Sequence, residues 1–193
     1  MKVIGGCLKG RNLSFKKTGV LRPTKNVARE ALFDIAGNRL DDKRVLDLFA
    51  GTGALGIESI SRGASLAVFV EMSPELMALI KKNIRDLGIN DKAEFINASV
   101  ESAVRRFARE CRTFDLVIAD PPYDYDEVRL RKIFRGLSTI VNQDGTAVLE
   151  LSSRTVFSEE FEGWDLTKER KYGSTKLQFY KKKGKAGGLP GQF

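Results

Sequence analysis

The chain has 193 residues, a net charge of +8, 42% hydrophobic and 30% charged residues, two cysteines and no histidine. That length suits one domain with a sizeable core. The missing histidine excludes serine–histidine hydrolases and His-based acid–base catalysis, and two cysteines support neither a Cys/His zinc site nor a disulfide scaffold. No apolar run reaches the ~18 residues of a membrane span. The opening residues are too short an apolar stretch for a signal peptide, so a cytoplasmic protein is expected.

Gly5, Gly6 and Gly10 punctuate a short β-type start over residues 2–13, readable as a hairpin carrying Lys9, Arg11, Lys16 and Lys17. A loop ends at Arg22-Pro23-Thr24. Thr24 can cap a helix over 25–36, with Val27, Ala28, Ala31, Leu32 and Ile35 on its apolar face and Gly37 as its stop. From Arg44 the pattern becomes alternating β and α. Strands are predicted over 45–49, 66–70, 93–96, 114–119, 146–151, 164–171 and 176–180. Helices are predicted between Gly56 and Gly63, from Pro74 to Leu87, from Val100 to Cys111 and from Glu127 to Leu137. Ser73-Pro74-Glu75 is a strong helix start: a capping serine, proline at the first position, then an acid in the first turn. Ser99 caps the helix after it. Strands alternating with helices imply a Rossmann-like, doubly wound, mostly parallel seven-stranded sheet. The closing β–β pair, turning at Gly173-Ser174, gives an antiparallel edge. The organisation expected is a basic N-terminal extension of hairpin and helix (1–44), a core (45–181) and a Lys/Gly-rich disordered tail (182–193).

Charge is unevenly placed. Residues 1–44 hold 11 basic and 4 acidic side chains, residues 45–164 hold 14 and 19, and residues 165–193 hold 8 and 2. Basic ends flanking an acidic middle are compatible with plain solvated surface. They are equally compatible with a polyanion footprint, because phosphates reward clustered cations through counterion release.

Ligands of doubly wound sheets bind beyond the C-terminal strand ends. The first such turn reads Asp47-Leu48-Phe49-Ala50-Gly51-Thr52-Gly53-Ala54-Leu55-Gly56. Its G-x-G-x-x-G spacing alone is compatible with NAD or FAD. Asp47 at the strand end would repel a pyrophosphate and attract an ammonium group. Glu71, ending the second strand, can accept both hydroxyls of a ribose, a criterion that NAD proteins share. The fourth strand ends in Asp120-Pro121-Pro122-Tyr123. Two prolines remove two backbone donors, Asp120 adds an acceptor and Tyr123 a flat face. Such a surface suits a planar exocyclic amine: acceptors orient the NH₂ hydrogens while the ring stacks. The amine's delocalised lone pair needs that help to attack an electrophile.

These residues resemble class I S-adenosylmethionine-dependent methyltransferases. The match is closer to the bacterial 16S rRNA (guanine-N2)-methyltransferase RsmD family, through Ile4-Gly5-Gly6 with Gly10-Arg11, Leu21-Arg22-Pro23-Thr24, Arg29-Glu30-Ala31-Leu32-Phe33, residues 46–58 and Tyr172-Gly173-Ser174-Thr175-Lys176-Leu177. The resemblance covers about residues 2–181. It implies that Asp47, Phe49, Ala50, Gly51, Thr52 and Gly53 hold the methionine end of S-adenosylmethionine, that Glu71 and Met72 meet its ribose, and that Ser99 and Val100 lie near its adenine. It implies that Asp120, Pro121, Pro122 and Tyr123 hold the guanine amine for direct in-line methyl transfer, with no metal. Lys9, Arg11, Lys16, Lys17, Arg22 and Thr24 would then grip 16S rRNA, within an assembling small ribosomal subunit, and the enzyme would be a monomer. N6-adenine methylation of DNA or RNA shares the Asp-Pro-Pro-Tyr motif and stays open. An NAD-binding oxidoreductase and a catalytically silent RNA-binding module are the readings from other classes.

Overall fold

The computed structural model describes residues 1–15, 23–122, 125–155 and 160–184, without the side chains of 23–25. The expectations for Lys16, Lys17, Arg22, Tyr123, the Thr24 side chain and most of the tail lie outside the described residues.

The elements run α1 (Pro23–Ala36), β1 (Arg44–Leu48), α2 (Ala54–Ser61), β2 (Leu66–Val70), α3 (Pro74–Leu87), β3 (Ala93–Ile96), α4 (Val100–Arg109), β4 (Phe114–Ala119), α5 (Glu127–Ile140), β5 (Val141–Ser152), β6 (Trp164–Tyr172) and β7 (Thr175–Lys182). The seven strands form one sheet in the order β3-β2-β1-β4-β5-β7-β6. Strands β1 to β5 pair in parallel, and β7 pairs antiparallel with both β5 and β6. Val45–Leu48 and Ala67–Val70 are buried throughout, as parallel strands covered on both faces must be.

Helix boundaries follow local chemistry. The Ser73 hydroxyl accepts from Leu76 N at 3.3 Å with Pro74 at the first helical position, and Gly88 closes α3 at φ 72°. Asp126, which the sequence reading did not single out, caps α5 through Arg129 N at 2.7 Å. Helix α1 begins at Pro23, so Thr24 lies inside it rather than before it. Strand β5 begins directly after α5, five residues earlier than predicted. The polar, glycine-containing residues 142–145 read as a loop; in the sheet they are taken up where the β4–β5 register shifts between Phe114 and Leu116.

The predicted N-terminal hairpin is present as a short antiparallel pairing: Lys2 bridges Asn12, Val3 N donates to the Arg11 carbonyl at 3.0 Å, Gly10 N to the Val3 carbonyl at 2.9 Å and Leu13 N to the Met1 carbonyl at 2.8 Å. Docking on the sheet and α2 holds it in place. Val3 and Leu13 enter the core beside Ile57, Ile60 and Ile80. The Glu58 carboxylate on α2 accepts from Ile4 N at 2.8 Å and Gly5 N at 2.7 Å. Gly6 sits at φ 72°, where an added Cβ would meet the Ser61 carbonyl oxygen at 1.8 Å; only glycine lets this segment lie so close to α2. Helix α1 buries Leu32 and Phe33 against Val45, Leu116 and Ile118. Among the described residues of 1–44, Val3, Leu13, Leu32, Phe33 and Leu40 therefore share the core of the sheet. Among the described residues, no helix is long and apolar enough to cross a membrane.

Candidate active site

Strand order reverses between β1 and β4, and the loops leaving these strands converge there. The β1 loop opens with Phe49 at φ 60°, a conformation that is strained for a bulky side chain and that clusters at functional sites. Gly53, at φ 77°, turns the chain into α2. The loop is held from β2: Glu71 accepts from Gly51 N and from Ser73 N, both at 2.8 Å, one bond to each carboxylate oxygen. Asn97 in turn donates to the Glu71 carbonyl at 2.7 Å and the Met72 carbonyl at 3.1 Å. Each Glu71 oxygen keeps a further lone pair for a ligand hydroxyl.

Asp47 lies beneath this loop. It is 1% exposed, and its Oδ2 accepts from Gly56 N at 2.9 Å. Burial pushes its carboxyl up to about 7; the Gly56 bond opposes this, and the charges of Asp120 and Glu71 add to it. An unfolded aspartate titrates near ~3.9. Between these values the native protein holds a proton that the unfolded chain has lost, so stability falls as pH rises through this window and is lowest above it. Asp47→Asn keeps an acceptor for Gly56 and never ionises. Its melting temperature relative to the parent protein is expected to rise between pH 5 and pH 8; an offset constant with pH would refute the assignment.

Three cavities meet at Asp120. One of about 700 Å³ is lined by Phe49, Gly51, Glu71, Met72, Ser99 and Val100, together with Tyr125 and Arg129. A second, of about 240 Å³, is lined by Ala50, Thr52 and the start of α2 together with Asn26, Arg29 and Glu150. A third, of about 170 Å³, is lined by Pro121, Pro122, Tyr125, Glu150, Ser152 and Thr175. Most of the residues named from the two loops are thus brought together. Asp47 and Gly53 line none of the three cavities; they shape the turn from behind. Ser99 also caps α4, accepting from Ser102 N at 3.3 Å. The Pro122 carbonyl accepts from Tyr125 N at 3.0 Å, so the acceptor work of this elbow falls more heavily on Asp120. Lys9 and Arg11 sit exposed on the N-terminal segment, with Arg11 donating to the Asp86 carbonyl at 3.3 Å, and line none of the cavities.

Several site residues escaped the sequence reading. Tyr125 is buried, its hydroxyl donates to Glu101 Oε1 at 2.6 Å, and its ring meets Phe49 edge-on at 5.0 Å under the Arg129 guanidinium at 4.1 Å. Burial, then the bond to Glu101, pushes its phenol far up, so it stays neutral and serves as wall and donor. Arg29 was hidden by the reading of the α1 face: Val27 is 52% exposed and Arg29 only 6%. Glu150, on β5 between Leu149 and Leu151, carried the sole available signal, an acid within a short apolar run.

The family model described as conserved hypothetical protein 95 matches residues 1–181. Among curated proteins, the putative rRNA methyltransferase YlbH of Bacillus subtilis is 31% identical over 184 residues, covering 95% of this chain and 100% of that protein. The ribosomal RNA small subunit methyltransferase D of Buchnera aphidicola (subsp. Acyrthosiphon pisum) is 39% identical over 121 residues, covering 63% of this chain and 62% of that protein. Among solved structures, a putative methyltransferase yhhF from Escherichia coli superposes with a TM-score of 0.81 at 27% identity, over 94% of this chain and 97% of that one. The chain therefore belongs to the family of that model, the RsmD-type methyltransferases that its motifs resemble.

Proposed function

We propose that the protein methylates the exocyclic N2 of a guanine in 16S rRNA, with S-adenosylmethionine as methyl donor. The observation that carries this reading is the position of Asp120, where all three cavities meet. The residues present suit that cofactor. The largest cavity lies within the ~300–1,000 Å³ range of small-molecule sites, and it combines a carboxylate for ribose hydroxyls with Phe49 and Val100 as apolar surface for a purine. Asp47, Ala50, Thr52 and Gly53 shape the adjoining turn. When bound, the cofactor supplies a methyl carbon made electrophilic by its sulfonium.

The chain's own residues do the rest. A guanine swung out of its helix enters the 170 Å³ cavity lined by the Asp120-Pro121-Pro122 elbow, Ser152 and Tyr125. Asp120 accepts one hydrogen of the amine, turns its lone pair toward the largest cavity and would take up the proton released as the C–N bond forms and the methyl–sulfur bond breaks, the neutral thioether being the leaving group. Much of the rate comes from holding the amine in line. No residue forms a covalent intermediate and no metal takes part. The basic extension, through Lys9, Arg11, Lys16, Lys17, Arg22 and Thr24, holds rRNA phosphates, with residues 45–181 as the catalytic core and the tail beyond it. The protein acts as a monomer on the assembling small subunit, in the cytoplasm where that particle is made.

The test is methylation of small-subunit particles and of naked 16S rRNA, followed by nucleoside mass spectrometry. N2-methylguanosine is the expected product, formed faster on particles. N6-methyladenosine in its place would overturn the base assignment, and no methylated nucleoside from either substrate would overturn the activity.

A further inference from the structure

We propose that Arg29, on the N-terminal helix, anchors the carboxylate of the cofactor's amino-acid end in the 240 Å³ cavity, so that the extension completes the cofactor site. This rests on the S-adenosylmethionine reading above.

Arg29 is the anomaly that demands an explanation. Among the described residues, only Nη2 is used: it donates to the Lys2 carbonyl at 2.7 Å and to Asn26 Oδ1 at 3.3 Å. Its Nε is buried with no hydrogen-bond partner, and among the described residues Arg29 forms no ion pair. A buried, unsatisfied donor on a charged group costs more than a neutral one and needs an explanation; Arg29 also lines the 240 Å³ cavity, where its charge can meet an anionic group. The acids whose fields reach it, Glu58 and Glu150, are not in contact with it. An exposed RNA phosphate is a poor candidate, because the side chain is 6% exposed.

The cavity's walls match a zwitterion. Arg29, Asn26 and the first turn of α2, Ala54 and Leu55, line it. Asp47 takes the N–H of Gly56 in that turn, and the backbone N–H groups ahead of it lie at the positive end of the helix. These groups suit a carboxylate. Asp120 and Glu150 line the same cavity and suit an ammonium group. Phe49, Gly51 and Asp120 are shared with the 700 Å³ cavity. A ligand whose adenosine fills the larger space can therefore reach the smaller one with a short aliphatic arm. A guanidinium presents a planar fork to a carboxylate, and its burial removes competing water.

Calorimetry with two ligands tests this: S-adenosylhomocysteine and 5′-deoxy-5′-(3-aminopropylthio)adenosine, the same molecule without its carboxylate. The unaltered protein is expected to bind the first about 10–100-fold more tightly, the range of a charge-assisted hydrogen-bonded pair. In Arg29→Met that preference collapses, with affinity for the second ligand unchanged, and Arg29→Lys restores part of it. The second ligand also reports that the variant is folded. Equal affinity of the unaltered protein for both ligands, or equal weakening of both by Arg29→Met, would overturn the anchor while leaving the cofactor reading intact. Failure of the unaltered protein to bind either ligand would overturn both.

Discussion

Asp120→Ala is expected to lower methyl transfer to 16S rRNA by about 10²–10³-fold, the cost of losing one preorganised electrostatic partner of a reacting group. The loss falls on kcat. Asp120 touches all three cavities, but the proposed cofactor cavity is also lined by Phe49, Gly51, Glu71 and Met72, so affinity for S-adenosylhomocysteine should change less than about tenfold. The amine is a weak nucleophile because its lone pair is delocalised into the base. A carboxylate that accepts one of its hydrogens opposes that delocalisation most where the amine becomes positive, in the transition state. Alanine removes this effect and leaves the prolines, and hence the elbow, in place. Single-turnover kinetics with saturating cofactor measure the chemical step directly; a variant with unimpaired single-turnover rate would show that Asp120 plays no part in it.

Glu58→Ala is expected to cost about 3–5 kcal/mol of stability, as removing one partner of a buried ion pair does, and to lower Tm by about 6–20 °C for a chain of this size. Glu58 is 0% exposed. It pairs with Arg62 Nε at 3.0 Å, whose side chain is itself 7% exposed, and takes the Ile4 and Gly5 N–H groups. Removing the carboxylate strands a cation and two backbone donors at once. Arg62 keeps only Asn38 Oδ1 at 2.7 Å and the Phe33 ring at 4.9 Å. Glu58→Gln retains an acceptor and should lose less. Hydrogen exchange adds a local readout: residues 1–13 should lose protection first, because their anchor is gone. Urea denaturation showing less than about 1 kcal/mol lost in Glu58→Ala would refute this account.

Much of the architecture is legible along the chain because its causes are local. The predicted spans of β2, α3, β3 and β4 match the observed elements: each is an apolar run or amphipathic period bounded by its own cap or glycine, and neighbouring residues supply all the chemistry. The β1 turn and the Asp120-Pro121-Pro122 elbow are legible for the same reason, since glycine spacing and paired prolines act on their own backbone. Where tertiary packing chose between local options, the reading missed. The N-terminal hairpin docked on Glu58, β5 absorbed a polar stretch, and α1 turned Arg29 inward and Val27 outward.

Sequence alone determined the alternation of strands and helices, the motifs that mark the two loops and the uneven charge. Tertiary structure alone decided that residues 29, 54, 120 and 150 border one cavity, that Asp47 supports its turn from below, and that Tyr125 is a wall of the site. The physical reason is range. Caps, turns and periodicity are set within a few residues, whereas the meeting of α1, α2, β4 and β5 depends on strand order, which is chosen by the burial of both sheet faces together.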